Sequence, residues 1–102
     1  MAVVAEHIRA NYAQDLSLAA LGRRFGLSTS FLSRKFKEIT GMGINEYVTN
    51  VRIHNAAQLL AGGTLSVTEV AAKCGYSDSN YFSSVFKKIK GTTPLKYTKN
   101  RM

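Results

Sequence analysis

The side chains with a recognisable chemical use are grouped between Ser28 and Gly41. Helical spacing of Leu32, Phe36 and Ile39 predicts the buried face of an amphipathic helix. Ser28 is placed to cap the start of that helix, and Gly41 to end it. The opposite face carries side chains that donate or accept hydrogen bonds, namely Thr29, Ser30, Ser33, Arg34 and Lys37. Such a face suits a helix that lies in a groove of DNA.

The same pattern occurs a second time, between Ser77 and Gly91. Residues 65–97 repeat residues 16–47 with an offset of 49 at the start and 50 at the end. One residue is therefore inserted, and the pairing of Ser28 with Ser77 places it near Ser79 and Asn80. Because a solenoid needs about three or more copies, two copies predict a pseudo-dimer within one chain.

The elements that position these residues are predicted to be helices. Residues 3–13 form a first amphipathic segment, and Ser17 precedes a second helix over residues 18–25. Gly26 then provides a tight turn before the helix that starts at residue 29, which makes a helix-turn-helix. Residues 44–61 contain neither Gly nor Pro and predict the longest helix, about 25 Å in length.

The second copy repeats this order. Ser66 and Glu69 have the spacing of a capping box, and Gly75 turns the chain before the second outward-facing helix. Thr93 and Pro94 start a last short helix that ends near residue 99. With no sustained alternation of period two, the chain is predicted to be all-α. Its parts are a subdomain over residues 3–42, a linking helix over 44–61 and a subdomain over 64–102.

Composition limits the partner and the compartment. Lys and Arg number 14 against 6 acidic residues, a net charge of +8 that suits a polyanion such as nucleic acid. Cys74 has no second cysteine to pair with, which fits a reducing cytoplasm. No apolar stretch approaches the roughly 20 residues of a membrane span. The predicted location is cytoplasmic and nucleoid-associated, without a membrane.

Other function classes are less well supported by the sequence. No nucleophile–base pair, metal-binding quartet or phosphate loop stands out, so we predict no catalytic residue, no metal and no cofactor. The alternative is a basic helical module that binds an acidic protein. Salt-dependent binding to duplex DNA with a sequence preference would distinguish DNA binding from it. RNA is disfavoured because the A-form major groove is too narrow for a helix.

Residues 65–97, LSVTEVAAKCGYSDSNYFSSVFKKIKGTTPLKY, closely resemble the signature of the AraC/XylS family of bacterial transcription regulators. Residues 16–60 resemble the first helix-turn-helix and the connecting helix of the same domain. The resemblance implies seven helices in two helix-turn-helix subdomains joined by a long central helix. It also implies that two recognition helices, at about 29–40 and 79–90, enter the major groove of double-stranded DNA.

Positions that differ between the two copies indicate where sequence is read. The differing polar positions are Thr29, Ser30 and Arg34 in the first copy, and Asp78, Asn80 and Ser84 in the second. Carried across by resemblance, the family's base-facing positions are Ser30, Ser33, Arg34, Ser79, Asn80, Ser83 and Ser84. Arg34 can bridge guanine O6 and N7, although it could instead bind a phosphate or pair with Glu38. Asn80 can pair with adenine or serve as a helix cap.

A further set of side chains is expected to meet phosphates, which gives affinity and orientation rather than sequence preference. Ser17 and Ser66 start the supporting helices, where free amides favour an anion, although simple capping is an equal alternative. The full set is Ser17, Thr29, Lys35, Lys37, Ser66, Lys87, Lys88 and Lys90.

Partners beyond DNA follow from the resemblance alone. Family members often carry a sugar-binding or receiver domain ahead of this one, and some work without it. An N-terminal effector or receiver domain and RNA polymerase are therefore the further partners that the resemblance implies.

Overall fold

The computed structural model describes residues 1–100, with side chains described through residue 98. Within that range it consists of seven α-helices without a β-strand, which confirms the predicted all-α class. In chain order the helices are α1 (Ala2–Ala10), α2 (Leu18–Phe25), α3 (Thr29–Thr40), α4 (Ile44–Gly62), α5 (Val67–Lys73), α6 (Ser79–Lys90) and α7 (Pro94–Asn100). In the described range, none of these helices combines the length and the hydropathy needed to cross a membrane.

The chain folds as two compact units, residues 1–51 and residues 52 onward, and the boundary falls inside α4. The first unit contains α1, α2, α3 and the start of α4. The second contains the rest of α4 with α5, α6 and α7. Each unit thus holds one helix-turn-helix pair, α2 with α3 and α5 with α6.

The core of the first unit is built on two of the three residues of α3 that the periodicity placed inward. Leu32 and Phe36 are fully buried together with Ile8 and Leu21. The Tyr47 ring of α4 meets the edge of Phe36, with ring centroids 5.4 Å apart. Removing a fully buried Phe side chain costs about 3–5 kcal/mol, so this core holds α3 firmly in place.

The core of the second unit repeats this arrangement. Phe82 and Phe86 of α6 are fully buried, as are Val70 and Cys74 at the α5 side. The Phe86 and Tyr97 rings are also 5.4 Å apart in an edge-on contact, as in the first unit. The internal repeat in the sequence is therefore also a repeat of core geometry.

The first helix is shorter than predicted. It ends at Ala10 rather than at residue 13. The Asn11 side chain donates to the His7 carbonyl oxygen (3.0 Å) and contacts His7 Nδ1 (3.1 Å). An asparagine that bonds back to the previous turn competes with helix propagation, and Asn11 accordingly leaves the helical conformation at φ −131°.

The prediction that Ile39 joins the buried face of α3 is wrong, and Ile89, which corresponds to it in α6, is also exposed. Ile39 is 62% exposed and Ile89 is 40% exposed. Both residues have the correct angular position around the helix but lie in its last turn. The two helices extend beyond the core that buries Phe36 and Phe86, so the last apolar residue of each stripe reaches solvent.

The position assigned to the inserted residue is also wrong. Two residues separate Gly26 from α3, whereas three separate Gly75 from α6. The extra residue therefore lies in the turn, and the two recognition helices align at a constant offset of 50. Asp78, not Ser77, corresponds to Ser28 as the residue that caps the helix.

Candidate nucleic-acid interface

Helix α3 is positioned by local bonds that the sequence specifies. The Ser17 Oγ accepts the Ala20 amide hydrogen (3.2 Å) and starts α2. Gly26 adopts φ +67°, a left-handed conformation that only glycine reaches without strain, and this turns the chain sharply. The Ser28 Oγ then accepts from the Phe31 amide (3.2 Å) and starts α3, which ends at Gly41 with φ +80°. The predicted caps at Ser17, Ser28, Gly26 and Gly41 are confirmed.

The exposed side of α3 carries the residues predicted to read bases. Because Leu32 and Phe36 are fully buried, the opposite side of the helix faces solvent. The polar and basic side chains of α3 that the sequence singled out are all exposed, Thr29 near the start of the helix next to α2, and Ser30, Ser33, Arg34 and Lys37 farther along it. The structure therefore brings the three predicted base-reading side chains of α3 onto one surface.

Arg34 does not pair with Glu38, as one predicted alternative had it. The Glu38 carboxylate instead lies 3.5 Å from the Lys35 ammonium. The exposed Lys35–Glu38 pair contributes about 0–1 kcal/mol to stability, but it places a negative charge beside Lys35. The Arg34 guanidinium carbon lies 5.8 Å above the centre of the Phe31 ring, within cation–π range.

Helix α6 is capped by Asp78 and not by Asn80. The Asp78 carboxylate accepts the amide hydrogens of Asn80 (2.8 Å) and Tyr81 (3.2 Å). Capping is therefore not the role of the exposed Asn80 side chain. The prediction that Asp78 is a readout position is not supported, because its carboxylate caps the helix. Ser84 is exposed, and its hydroxyl donates to the Tyr81 carbonyl oxygen (2.9 Å). Ser79 and Ser83 are half-buried.

The capping box predicted at the start of α5 is confirmed. The Glu69 amide donates to Ser66 Oγ (3.1 Å), and the Ser66 amide donates to the Glu69 carboxylate (2.9 Å). These bonds hold the pKa of Glu69 below its usual value, with the Ser66 backbone amide as the main cause. Since Ser17 and Ser66 both accept hydrogen bonds at Oγ, each hydroxyl keeps its own hydrogen for a further acceptor such as a phosphate.

Positive charge is distributed unequally along the chain. Residues 1–51 contain 6 basic and 4 acidic residues, whereas residues 52–102 contain 8 basic and 2 acidic residues. The recognition helices carry much of it, on the exposed side chains of Lys37, Lys87, Lys88 and Lys90. Residues 52–102 thus carry more net positive charge, whereas α3 is the recognition helix that contains an arginine, Arg34.

Sequence reasoning missed one exposed aromatic residue on each recognition helix. Phe31 and Tyr81 occupy corresponding positions in α3 and α6, and they are 36% and 60% exposed. The available signal was an aromatic residue outside the buried stripe that recurs in both copies. Periodicity alone did not identify them because neither residue lies on the buried apolar face of its helix.

Features typical of an enzyme site are sparse in the described residues. Within the part of the chain that the structure describes, no cluster of three or more His, Cys, Asp or Glu side chains is placed to hold a metal. Cys74 is fully buried, and burial raises the pKa of its thiol to about 11. A thiol with such a pKa is a core residue rather than a nucleophile.

The chain is similar to known transcription regulators over most of its length. A family profile described as a helix-turn-helix domain matches residues 21–100. The chain is 45% identical over 84 residues to the HTH-type transcriptional activator RhaR of Mannheimia succiniciproducens, a match that covers 82% of the chain and 30% of that protein. The chain spans about a third of the length of the curated relatives it matches.

Solved structures show the same fold. The C-terminal domain of AraT, a response regulator from Geobacillus stearothermophilus, superposes with a TM-score of 0.95 at 32% identity, covering 99% of this chain and 84% of that one. A regulator from Chromobacterium violaceum described as containing an AraC-type DNA-binding domain has a TM-score of 0.85 at 28% identity, covering 96% and 88%. With the profile reaching from α2 to α7, this chain belongs to the AraC/XylS family of bacterial transcription regulators and is a DNA-binding domain of that family.

Proposed function

We propose that this domain recognises a specific duplex sequence by placing α3 and α6 in the major groove, with Arg34 as its principal base-reading residue. The proposal rests on the contacts around Arg34. Its guanidinium lies over the Phe31 ring on an exposed helix face, while the nearby acid, Glu38, is paired with Lys35. An arginine held in this way can present two parallel donors to guanine.

Helix α3 supplies most of the direct readout in this proposal. A bidentate contact from arginine to guanine O6 and N7 discriminates against other bases by about 1–3 kcal/mol. Ser30 and Ser33 are also exposed, and their hydroxyl groups can donate hydrogen bonds to base edges or accept hydrogen bonds from them. The three side chains together define a short reading surface that begins one residue after the start of the helix.

Helix α6 reads through Asn80, with a smaller contribution from its serines. An asparagine can pair bidentately with adenine N6 and N7, and Asp78 relieves Asn80 of the capping role. The hydroxyl hydrogen of Ser84 is directed to a backbone oxygen, so Ser84 offers mainly its lone pairs. Ser79 and Ser83 are short and half-buried and contribute weaker contacts.

Phosphate contacts supply the sequence-independent part of the binding free energy. Each neutralised phosphate contributes about −0.9 to the slope of log K against log salt concentration on B-DNA. Lys37 is the clearest such residue in the first unit, since Lys35 shares its charge with Glu38. The proposed set comprises Ser17, Thr29, Lys35, Lys37, Ser66, Lys87, Lys88 and Lys90.

The test compares selected and random duplexes. The chain is first used to select its preferred duplex from a randomised pool, and dissociation constants are measured at several salt concentrations. Arg34→Ala is expected to lower affinity for the selected duplex by about 5–150-fold and to affect random duplexes much less. Lys37→Ala is expected to weaken both alike and to flatten the salt slope by about one. Equal losses on both duplexes for Arg34→Ala contradict the proposal, and a chain that selects no duplex favours a protein-binding module instead.

We infer that the domain acts within a longer cytoplasmic, nucleoid-associated regulator as a binding module without catalysis of its own. Support comes from its relatives, since the AraT structure is the C-terminal domain of a response regulator and the curated relatives are about three times longer than the match. An N-terminal effector or receiver domain and RNA polymerase are the proposed partners. Crosslinking of the full-length protein to polymerase on its selected duplex tests the second of these.

A further inference from the structure

We propose that Phe31 is a specificity-determining residue of α3 whose ring contacts the 5-methyl group of a thymine next to the guanine bound by Arg34. The inference deepens the proposed function and rests on it, since it requires α3 to lie in the major groove. It adds recognition of a thymine methyl group, which a hydrogen-bonding side chain does not provide.

Phe31 is not part of the buried core of the first unit. Leu32 and Phe36 form the buried stripe of α3, and both are fully buried. Phe31 lies beside that stripe in the first helical turn and leaves 36% of its surface in solvent. Its amide donates to Ser28 Oγ (3.2 Å), so the backbone that carries the ring is held by the helix cap. The ring is therefore an apolar group that is partly exposed at a fixed position.

Phe31 also contacts Arg34. Residues three apart on a helix are neighbours on its surface. The guanidinium carbon of Arg34 lies 5.8 Å from the centre of the Phe31 ring, which restrains the arginine through a cation–π contact. An arginine that reads guanine from this position leaves the Phe31 ring beside the neighbouring base pair. Phenylalanine is suited to one feature of that groove, the thymine methyl group.

The second repeat shows that this combination is particular to α3. Tyr81 corresponds to Phe31 and is also exposed, but the residue that corresponds to Arg34 is Ser84. The Tyr81 ring leans on Tyr76, with centroids 6.1 Å apart. The pairing of an exposed aromatic ring with an arginine three residues later therefore distinguishes α3 from α6.

The experiment removes one methyl group at a time from the DNA. In the duplex that the chain selects from a randomised pool, each thymine is replaced in turn by deoxyuridine, and dissociation constants are measured by fluorescence anisotropy. At one thymine next to the guanine that Arg34 reads, wild-type affinity is expected to fall about fourfold, the equivalent of one buried methylene group. Phe31→Ala is expected to show no loss at that thymine.

Two further variants test whether the response depends on the Phe31 side chain itself rather than on the loss of any exposed apolar side chain from α3. Ile39→Ala removes another exposed apolar side chain from the far end of α3 and should keep the wild-type response to deoxyuridine. Phe31→Leu keeps apolar bulk but lacks the aromatic face, so it should still sense the methyl group while discriminating less well against other bases at the guanine. Circular dichroism confirms that each variant retains its helices.

The result that overturns the inference is a duplex in which no thymine beside that guanine responds to loss of its methyl group, or one in which wild type and Phe31→Ala respond equally. Either result leaves the proposed function intact if Arg34→Ala still weakens the selected duplex more than random ones. Equal losses for Arg34→Ala instead reject the proposed function itself.

Discussion

The carbonyl oxygen of Gly22 accepts a hydrogen bond from the Leu27 amide (2.9 Å), and a Cβ atom added at Gly22 would lie 2.7 Å from the Leu27 carbonyl oxygen. The turn of the first helix-turn-helix thus closes directly onto the backbone of α2. In the second repeat the Ala71 carbonyl accepts from the Tyr76 amide at the same distance of 2.9 Å. That turn is one residue longer, and Ala71 carries the methyl group for which Gly22 has no space.

Gly22→Ala is therefore expected to destabilise the first unit. The clash is with backbone rather than with a flexible side chain, and overpacking of this kind lowers the free energy of unfolding by about 1–3 kcal/mol. Urea denaturation followed by circular dichroism measures the change. The matched control is Gly62→Ala at the end of α4, where an added Cβ meets nothing within 4 Å and should be neutral or slightly stabilising. Equal stability of the two variants would contradict this reading of the turn.

Glu38→Gln is expected to strengthen binding to every duplex. The substitution removes the carboxylate 3.5 Å from Lys35, so the full charge of that lysine becomes available to a phosphate. The salt dependence of binding should become steeper, with no change in sequence preference. In a Lys35→Ala background the same substitution should have a smaller effect, because the two side chains are coupled. An equal gain in both backgrounds would show that Glu38 acts independently of Lys35.

The capping box at α5 should make the second unit sensitive to acid. The pKa of Glu69 is lower in the folded chain than its ordinary value of 4.5, so its contribution is present above that value. As the pH falls through and below 4.5, the folded-state carboxylate becomes protonated and the contribution is lost. Wild type should therefore lose more stability over this range than Glu69→Gln, as measured by thermal denaturation at a series of pH values. Parallel curves for the two proteins would contradict the prediction.

Cys74 is expected to be inert in the folded domain. Its side chain is fully buried and the pKa of its thiol is about 11, so almost no thiolate is present at neutral pH. A chromogenic disulfide reagent should react with the thiol only after denaturant unfolds the second unit, and the denatured chain provides the control. Rapid reaction of the native protein would indicate local opening around Cys74.

The amino-acid sequence by itself determined where most helices begin and end. The bonds of Ser17, Ser28 and Ser66 join groups only three residues apart, so no distant part of the chain is needed to form them. Gly26 and Gly41 likewise end their helices through a local backbone conformation. Leu32 and Phe36 were predicted to be buried because periodicity fixes the direction in which each side chain leaves its helix.

Tertiary structure decided the rest, for a reason that Ile39 and Asp78 make clear. Periodicity gives the angle of Ile39 around α3 but not the length of the core beside it, so its exposure depended on how far the neighbouring helices extend. The sequence offered Asn80 as a possible cap of α6, but α6 begins at Ser79, so the residue before it, Asp78, is the cap. The sequence likewise did not determine which residues Arg34 and Glu38 contact. Each has a long, flexible side chain within reach of several neighbours, so the geometry of the folded surface determines the partner.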